Sequence, residues 1–117
     1  MIKIVALIRR NPALTPEAFR EYWTNVHVPM IKERLPGLVR YTGSFPINPT
    51  GTVDAAIAAG YDAIVELGFA DRAAMEKDMN GPGFQAADRE ASSAQLMDLA
   101  NTQAMVVEEV EVALGSL

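Results

Sequence analysis

Cysteine is missing from this chain of 117 residues, and histidine and tryptophan occur once each. Without cysteine the protein can form no disulfide, no thiolate metal site and no thiol nucleophile. One histidine among scattered carboxylates also lacks the clustering that a protein-bound metal ion needs, so we expect no metal and no resident cofactor. Haem stays open as an alternative, because one histidine suffices as an axial ligand.

Positive charge and long apolar runs are also scarce. Ten Lys and Arg stand against 15 Asp and Glu, which gives a net charge of −5 with no basic block. This balance argues against nucleic acid and anionic membrane surfaces as partners. No apolar stretch approaches the length of a membrane span, and the apolar run over residues 2–8 precedes Arg9 and Arg10, the reverse of a signal peptide. We therefore expect a cytoplasmic protein that does not associate with membranes.

Half of the residues are apolar, which predicts a globular chain with a single domain over residues 1–117. The residue pattern predicts strands at 2–9, 38–45, 62–69 and 103–112, and helices at 16 to about 34, 72–79 and 84 to about 100. Pro29 predicts a kink or an early end of the first helix near Val28. Residues 46–60 read as a long loop of the kind that often forms a lid. The order β-α-β-β-α-β is that of the ferredoxin-like α+β fold, an antiparallel sheet with helices on one face.

The first strand is apolar on both of its faces. The alternating positions are Ile2, Ile4, Ala6 and Ile8 on one side and Val5 and Leu7 on the other. Helices cover only one face of such a sheet, so the other face is predicted to be an interaction surface. The same face of a second copy covers it most simply, and we therefore expect a homodimer.

The best-marked helix carries both unique residues, Trp23 and His27. Thr15 suits the N-cap and Pro16 the first helical position. An apolar stripe at helical spacing is formed by Phe19, Trp23, Val26 and Met30. At about 100° per residue, His27 lies roughly 60° from the middle of this stripe. That position is the border of the buried face, where a side chain can face a cavity.

Two stretches carry a family resemblance: LTPEAFREYWTNVHVPMIKERLPGLVRY (14–41) and GYDAIVELGFADRAAM (60–75). They resemble the EthD family of dimeric α+β barrel proteins, whose pattern is a Phe-x-x-x-Trp helix, a histidine four residues later, a proline, Leu-Pro-Gly and a strand. A Tyr-Asp strand with an internal acidic residue follows. The matching positions here are Phe19, Trp23, His27, Pro29, Leu35, Pro36, Gly37, Tyr41, Tyr61, Asp62 and Glu66. The resemblance implies a homodimer with an apolar pocket in each subunit between helices and sheet. It also implies a small hydrophobic ligand and a link to the catabolism of ethers, lactones or aromatic compounds.

His27 is the candidate general acid or base, because an imidazole pKa of about 6.5 lets it exchange a proton at neutral pH. The alternative is a structural histidine bonded to a backbone carbonyl. Tyr41 is the candidate donor to a developing oxyanion, since its strand should pass beneath the helix that bears His27. The alternative is a core tyrosine with a solvated tip. The predicted substrate-binding residues are Phe19, Tyr22, Trp23 and Met30.

Two further side chains are placed by strand alternation alone. Arg40 must point away from Tyr41, and Glu66 lies opposite the apolar face of its strand. We expect both to be solvated or at the dimer interface.

Three functions fit these residues. The first is a cofactor-free oxidoreductase or isomerase with His27 as acid or base. The second is a non-catalytic binding or accessory protein for a partner oxygenase. The third is a haem-handling protein.

Overall fold

The computed structural model describes residues 1–47 and 60–115 and confirms the predicted ferredoxin-like α+β arrangement. The strands are β1 (Ile2–Ile8), β2 (Leu38–Ser44), β3 (Ala63–Phe69) and β4 (Gln103–Glu108). The helices are α1 (Pro16–Tyr22), a π-helical turn (Trp23–His27), α2 (Val28–Arg34), α3 (Arg72–Met79) and α4 (Ala87–Leu96). Most of the predicted 46–60 loop, residues 48–59, lies outside the described residues, and so does its predicted role as a lid.

The four strands form one antiparallel sheet in the order β2-β3-β1-β4. In β2, the register shifts between Leu38 and Arg40, after which Tyr41 stands opposite Leu67 of β3. Arg40 and Tyr41 therefore point to opposite faces, as predicted. We call the face that bears Tyr41 the inner face and the other the outer face.

Side-chain caps fix the starts of two helices. The Thr15 hydroxyl accepts the N–H of Ala18 at 3.1 Å, and the Asp71 carboxylate accepts the N–H of Ala74 at 2.8 Å. Each cap satisfies a backbone donor that has no partner inside its helix, which is worth about 1 kcal/mol. The capping role predicted for Thr15 is confirmed.

The core lies between the helices and the inner face of the sheet. Its largest fully buried side chains come from both layers: Phe19, Leu35, Phe69 and Leu96. Burying a side chain of this size is worth about 1.5–3 kcal/mol. The helices of the described residues are thereby held over one face of the sheet, and none of them covers the outer face.

Two predicted elements are shorter in the structure by several residues. The helix predicted from 84 to about 100 is α4, which ends at Leu96 because Met97 becomes extended and forms a β-bridge with Arg10. The strand predicted over 103–112 ends at Glu108, which lies opposite Ile2. Since β1 begins at Ile2, β4 runs out of partner residues there.

The outer face combines one buried ion cluster with exposed apolar side chains. Lys3 is only 7% exposed, and its Nζ lies 2.7 Å from Glu66 Oε1 and 2.6 Å from Glu109 Oε2. Around this cluster, Ile64 of β3 is 42% exposed and Met105 of β4 is 54% exposed. The outer face is therefore partly apolar and accessible, and Glu66 is bound by Lys3 rather than left to solvent.

None of the helices within residues 1–47 and 60–115 has the length and apolar content needed to cross a bilayer.

Candidate functional site

A π-helical turn joins α1 to α2 and changes the buried face of the long first helical region. The N–H of Val28 donates to the carbonyl of Trp23, five residues earlier. Pro29 has no N–H and its ring clashes with an α-helical carbonyl four residues before it. In the π turn, directly before this proline, the backbone hydrogen-bond pattern shifts by one residue. Pro29 then lies within the first turn of α2. The early end predicted near Val28 is wrong, since helical structure continues to Arg34, and a departure from α-helical geometry lies directly before Val28, in the π turn.

The same turn overturns the predicted apolar stripe. Val26, predicted to be on the buried side, is 44% exposed, whereas His27, predicted at the border, is 5% exposed. The buried positions follow a four-residue spacing: Phe19, His27, Ile31 and Leu35, with Trp23 half-buried. An angle of about 100° per residue holds only for an α-helix, and the extra residue of the π turn rotates everything beyond it.

His27 lies in a closed polar cluster against α4. Its Nδ1 is 3.0 Å from the hydroxyl oxygen of Ser92, which is also 3.2 Å from the hydroxyl of Tyr22. Burial, with a smaller contribution from the positive charge of Arg89, lowers the pKa of His27 to about 4. The imidazole is thus neutral at pH 7, and its partner is a side-chain hydroxyl instead of the backbone carbonyl considered from sequence.

Trp23 packs on the inner face of β2, directly over Gly43, whose missing side chain leaves room for the indole. A Cβ on Gly43 would come within 2.8 Å of the indole Cζ2, so any side chain there would displace the ring. Tyr41 and Phe45 flank the indole edge-on, with centroid distances of 5.7 and 5.4 Å. The indole is therefore held by two residues of β2, Tyr41 and Gly43, and by Phe45, which directly follows the strand.

The Trp23 indole N–H is buried and has no hydrogen-bond acceptor among the described residues. Tyr41 is close to it, but the two groups do not reach hydrogen-bond geometry. Burial raises the pKa of the Tyr41 phenol, so the hydroxyl keeps its proton at neutral pH. Trp23 thus keeps a desolvated donor without a partner, and such groups are uncommon in folded proteins because they cost about 1–3 kcal/mol.

A cavity of about 440 Å³ opens beside Trp23, between the first helical region and the edge strand β2. The helical side and the strand side both contribute to its wall: Trp23, Thr24, Val28, Lys32, Leu35, Pro36, Leu38, Val39, Arg40 and Tyr41. We call this space the Trp23 cavity. Its volume is in the range of small-molecule sites.

The structure divides the predicted site residues into two groups. Trp23 and Tyr41 lie together in the Trp23 cavity, whereas His27 and Tyr22 meet at Ser92 and belong to no wall of that cavity. Phe19 is buried in the core and contributes to a second cavity of about 520 Å³ near Tyr61 and Gly60, where the described residues resume. Met30 is half-buried and lines neither cavity.

Sequence reasoning missed Ser92 and Gly43. A glycine inside a strand marks close approach of another group, and that signal was available for Gly43 in the alternating run 38–45. Ser92 sits within α4 and gives no such signal. Among residues 1–47 and 60–115, no group of three or more His, Asp or Glu side chains is placed to hold a metal ion.

Solved structures with the same fold are similar over almost the whole chain. An EthD family protein from Bacillus halodurans is 21% identical with a TM-score of 0.66, covering 94% of this chain and 99% of its own. SnoaB, a cofactor-independent oxygenase from Streptomyces nogalater, is 13% identical with a TM-score of 0.62, covering 97% of both chains. A dimeric ferredoxin-like protein of unknown function from Thermobifida fusca is 19% identical with a TM-score of 0.59, covering 91% of this chain and 88% of its own.

No curated protein matches the sequence. The family assignment comes instead from the EthD domain model, which matches residues 11–100 and thus most of the chain. The π turn, Trp23, His27 and Tyr41 all lie inside that range. The chain belongs to the EthD family.

Proposed function

We propose that this protein binds a small hydrophobic molecule in the Trp23 cavity. The observation that carries the proposal is the unpartnered indole N–H of Trp23 beside a cavity of about 440 Å³. A ligand oxygen would supply the missing acceptor, and the Tyr41 hydroxyl is a second neutral donor nearby. Val28, Leu35 and Leu38 provide the apolar contacts for the rest of the molecule.

The test uses Trp23 as an internal reporter, because it is the only tryptophan in the chain. Titration with naphthalene-2-carboxamide, a neutral ligand, should give a saturable change in its fluorescence. Val28→Phe fills the cavity from the helical side and should abolish that change. Val26→Phe is the matched control, since Val26 lies two residues away, is exposed and lines no part of the cavity. Equal binding by Val28→Phe and the wild type would contradict the proposed site.

The second candidate function is cofactor-free oxidation of the bound molecule, and the similarity to SnoaB favours it. In this mechanism His27 takes a proton from a phenolic hydroxyl, and dioxygen reacts with the electron-rich phenolate: one oxygen atom replaces a ring hydrogen and becomes a quinone carbonyl, and the other leaves as water. Two observations support His27 as the base: its imidazole is neutral at pH 7, and Ser92 fixes its ring. Its position outside the Trp23 cavity favours the binding function over catalysis, because a base must reach the proton it removes.

Oxygen uptake with a naphthalene hydroquinone separates the two functions. An oxygenase should consume dioxygen above the uncatalysed rate, and His27→Gln should lose most of that rate while ligand affinity is kept. A non-catalytic binding or accessory protein should give no enzymatic uptake in the wild type. An equal rate for His27→Gln and wild type would remove His27 from the mechanism.

The haem-handling alternative does not fit the residues. His27, the chain's one histidine, is 5% exposed and its Nδ1 is engaged by Ser92. An axial ligand needs a ring nitrogen that faces a space for the porphyrin, and His27 lines neither of the cavities described above.

We also propose a homodimer formed through the outer face of the sheet. Ile64 and Met105 expose apolar surface there. A two-fold dimer buries the same patch on both subunits. The dimeric state of the Thermobifida fusca protein supports this arrangement.

Light scattering at micromolar concentration tests the dimer, since one chain has a mass of 12.7 kDa. Ile64→Lys should shift the population to monomer. Val26→Lys introduces the same charge at a helical position of nearly equal exposure, 44% against 42%, and should leave the dimer intact. A monomeric wild type would overturn this proposal.

A further inference from the structure

The segment after β4, residues 109–115, has the residue pattern of a strand but no strand partner in the described chain. Its large apolar side chains, Val110, Val112 and Leu114, stand at every second position and are 79%, 73% and 95% exposed. Pairing with the neighbouring strand ends where the N–H of Glu109 donates to the carbonyl of the first residue at 2.9 Å. A row of apolar side chains left in water indicates an interaction surface.

The apolar side chains of the 109–115 segment continue the inner side of the sheet. Lys3 on the outer face binds the carboxylate of Glu109 at 2.6 Å, so Glu109 points to the outer side. Strand alternation then directs the three apolar side chains to the inner side. Val106 of β4 stands opposite Ile4 on that side and is 50% exposed, so the helices leave this edge of the inner face open.

The opposite edge of the sheet is β2, which pairs with β3 and with no other strand within residues 1–47 and 60–115. The Trp23 cavity lies beside this edge, and Val28, Leu35 and Leu38 give it an apolar wall. Val39, which also lines the cavity, is 60% exposed. An edge strand with unpaired backbone groups next to an apolar cavity suits the addition of an extended segment as a further strand.

A second copy of the chain fits both of these features. Within one subunit, β1 and β3 separate β4 from β2, and the exposure of the apolar side chains shows that the 109–115 segment does not pack on its own subunit. In the outer-face dimer proposed above, the two sheets lie face to face. A two-fold axis then sets the β4 edge of one sheet beside the β2 edge of the other, and the two contacts are equivalent.

We infer that the 109–115 segment of one subunit pairs with the edge strand β2 of its partner and closes the Trp23 cavity there. Backbone hydrogen bonds attach the segment, and Val110, Val112 and Leu114 complete the apolar wall on the inner side. Each ligand site is thus built from two subunits. This inference rests on the proposed dimer and on the proposed binding function of the cavity.

The lack of cysteine and the single tryptophan allow a test between subunits. One chain carries Trp23→Phe and Val112→Cys with a nitroxide label, and it is refolded together with unlabelled wild type, the source of all tryptophan emission. We expect the label to quench that emission in mixed dimers, because a nitroxide quenches at short range. Lys77→Cys with the same label is the control, since Lys77 is exposed and lies on α3, which contributes nothing to the cavity wall.

A matched pair of substitutions measures the contribution of the segment to ligand binding. Val112→Gln should weaken the binding of naphthalene-2-carboxamide about tenfold, because one buried apolar side chain is lost from the wall. Glu111→Gln introduces the same residue at the adjacent exposed position, which faces the other side of the segment, and should leave the affinity unchanged.

The outcomes separate this inference from the proposals on which it rests. Quenching by the label on Val112→Cys, together with weaker ligand binding in Val112→Gln, supports it. No quenching in a mixture that is dimeric by light scattering overturns it and leaves the dimer proposal standing, whereas a monomeric wild type overturns both. Quenching with equal ligand affinity in Val112→Gln and wild type overturns the role in the cavity wall. If the wild type binds no ligand, the binding function itself fails.

Discussion

Two neighbouring turns of the first helical region present opposite kinds of polar group. Trp23 faces β2 with a buried N–H that has no acceptor in the described chain, next to a cavity. His27, four residues later, faces α4 and is engaged by the hydroxyl of Ser92. In the first region a donor has no acceptor among the described residues, and in the second the fold itself supplies the partner.

This difference indicates where a ligand contributes most free energy. A buried donor that gains an acceptor recovers the cost of its desolvation, whereas a donor already bonded must first give up its partner. The Trp23 region is thus the better candidate for ligand binding. The His27 region contributes through its neutral, buried imidazole, which stabilises the packing of α4 on the first helical region.

The largest effect should follow from filling the space over Gly43 that the Trp23 indole occupies. Gly43→Val places a branched side chain where the indole lies, since even a Cβ would be 2.8 Å from Cζ2. We expect a loss of up to about 3 kcal/mol in the free energy of unfolding, as for overpacked cores. Ligand binding in the Trp23 cavity should be lost too. Urea unfolding and Trp23 fluorescence measure the two effects.

Gly115→Val is the control for this substitution. A Cβ at Gly115 meets no atom within 4 Å, so the variant should unfold like the wild type. If Gly43→Val were as stable as Gly115→Val and kept its fluorescence spectrum, Trp23 would not depend on Gly43.

The second effect concerns His27 and pH. Its pKa is about 4 in the folded chain against 6.5 for the free side chain, so between these values only the unfolded chain binds the proton. The stabilisation from neutral, buried His27 is therefore complete above pH 6.5 and is lost as the pH falls towards 4. Between pH 7 and pH 5 we expect a loss of about 2 kcal/mol in the free energy of unfolding.

His27→Gln isolates this contribution. It should flatten the stability between pH 7 and pH 5, because no other histidine titrates in that window. The lowered pKa values of Glu66, Glu109 and Asp88 also make the protein less stable as the pH falls, but only at pH values below this window. An unchanged pH dependence in His27→Gln would show that His27 is not the group responsible.

The sequence predicted the fold because its signals are local. The caps Thr15 and Asp71 and the alternation in β2 and β3 each depend on a few neighbouring residues. The π turn was not predictable in this way, because it arises where Pro29 meets a helix that tertiary packing holds together. Its consequence is the exchange of Val26 and His27 between surface and core.

The candidate site could be predicted only in part for the same reason. Trp23 and Tyr41 were both proposed from the sequence, and their contact follows from the crossing of the helix over β2. The partner of His27 comes from α4, whose Ser92 is 65 positions away in sequence and carries no motif. The packing of the helices decides which group contacts the His27 ring, and helical periodicity alone does not predict that packing.

The smallest effect gives the sharpest comparison of the two regions. Tyr41→Phe and Tyr22→Phe each remove one hydroxyl and keep the ring. Tyr22 bonds to Ser92, so Tyr22→Phe should cost about 1 kcal/mol of folding stability and leave ligand affinity unchanged. Tyr41 makes no hydrogen bond within the described chain, so Tyr41→Phe should leave the free energy of unfolding unchanged. The same substitution should lower the affinity for an oxygen-bearing ligand about fivefold. If both variants changed the same quantity, the division into a ligand-facing region and a structural region would be wrong.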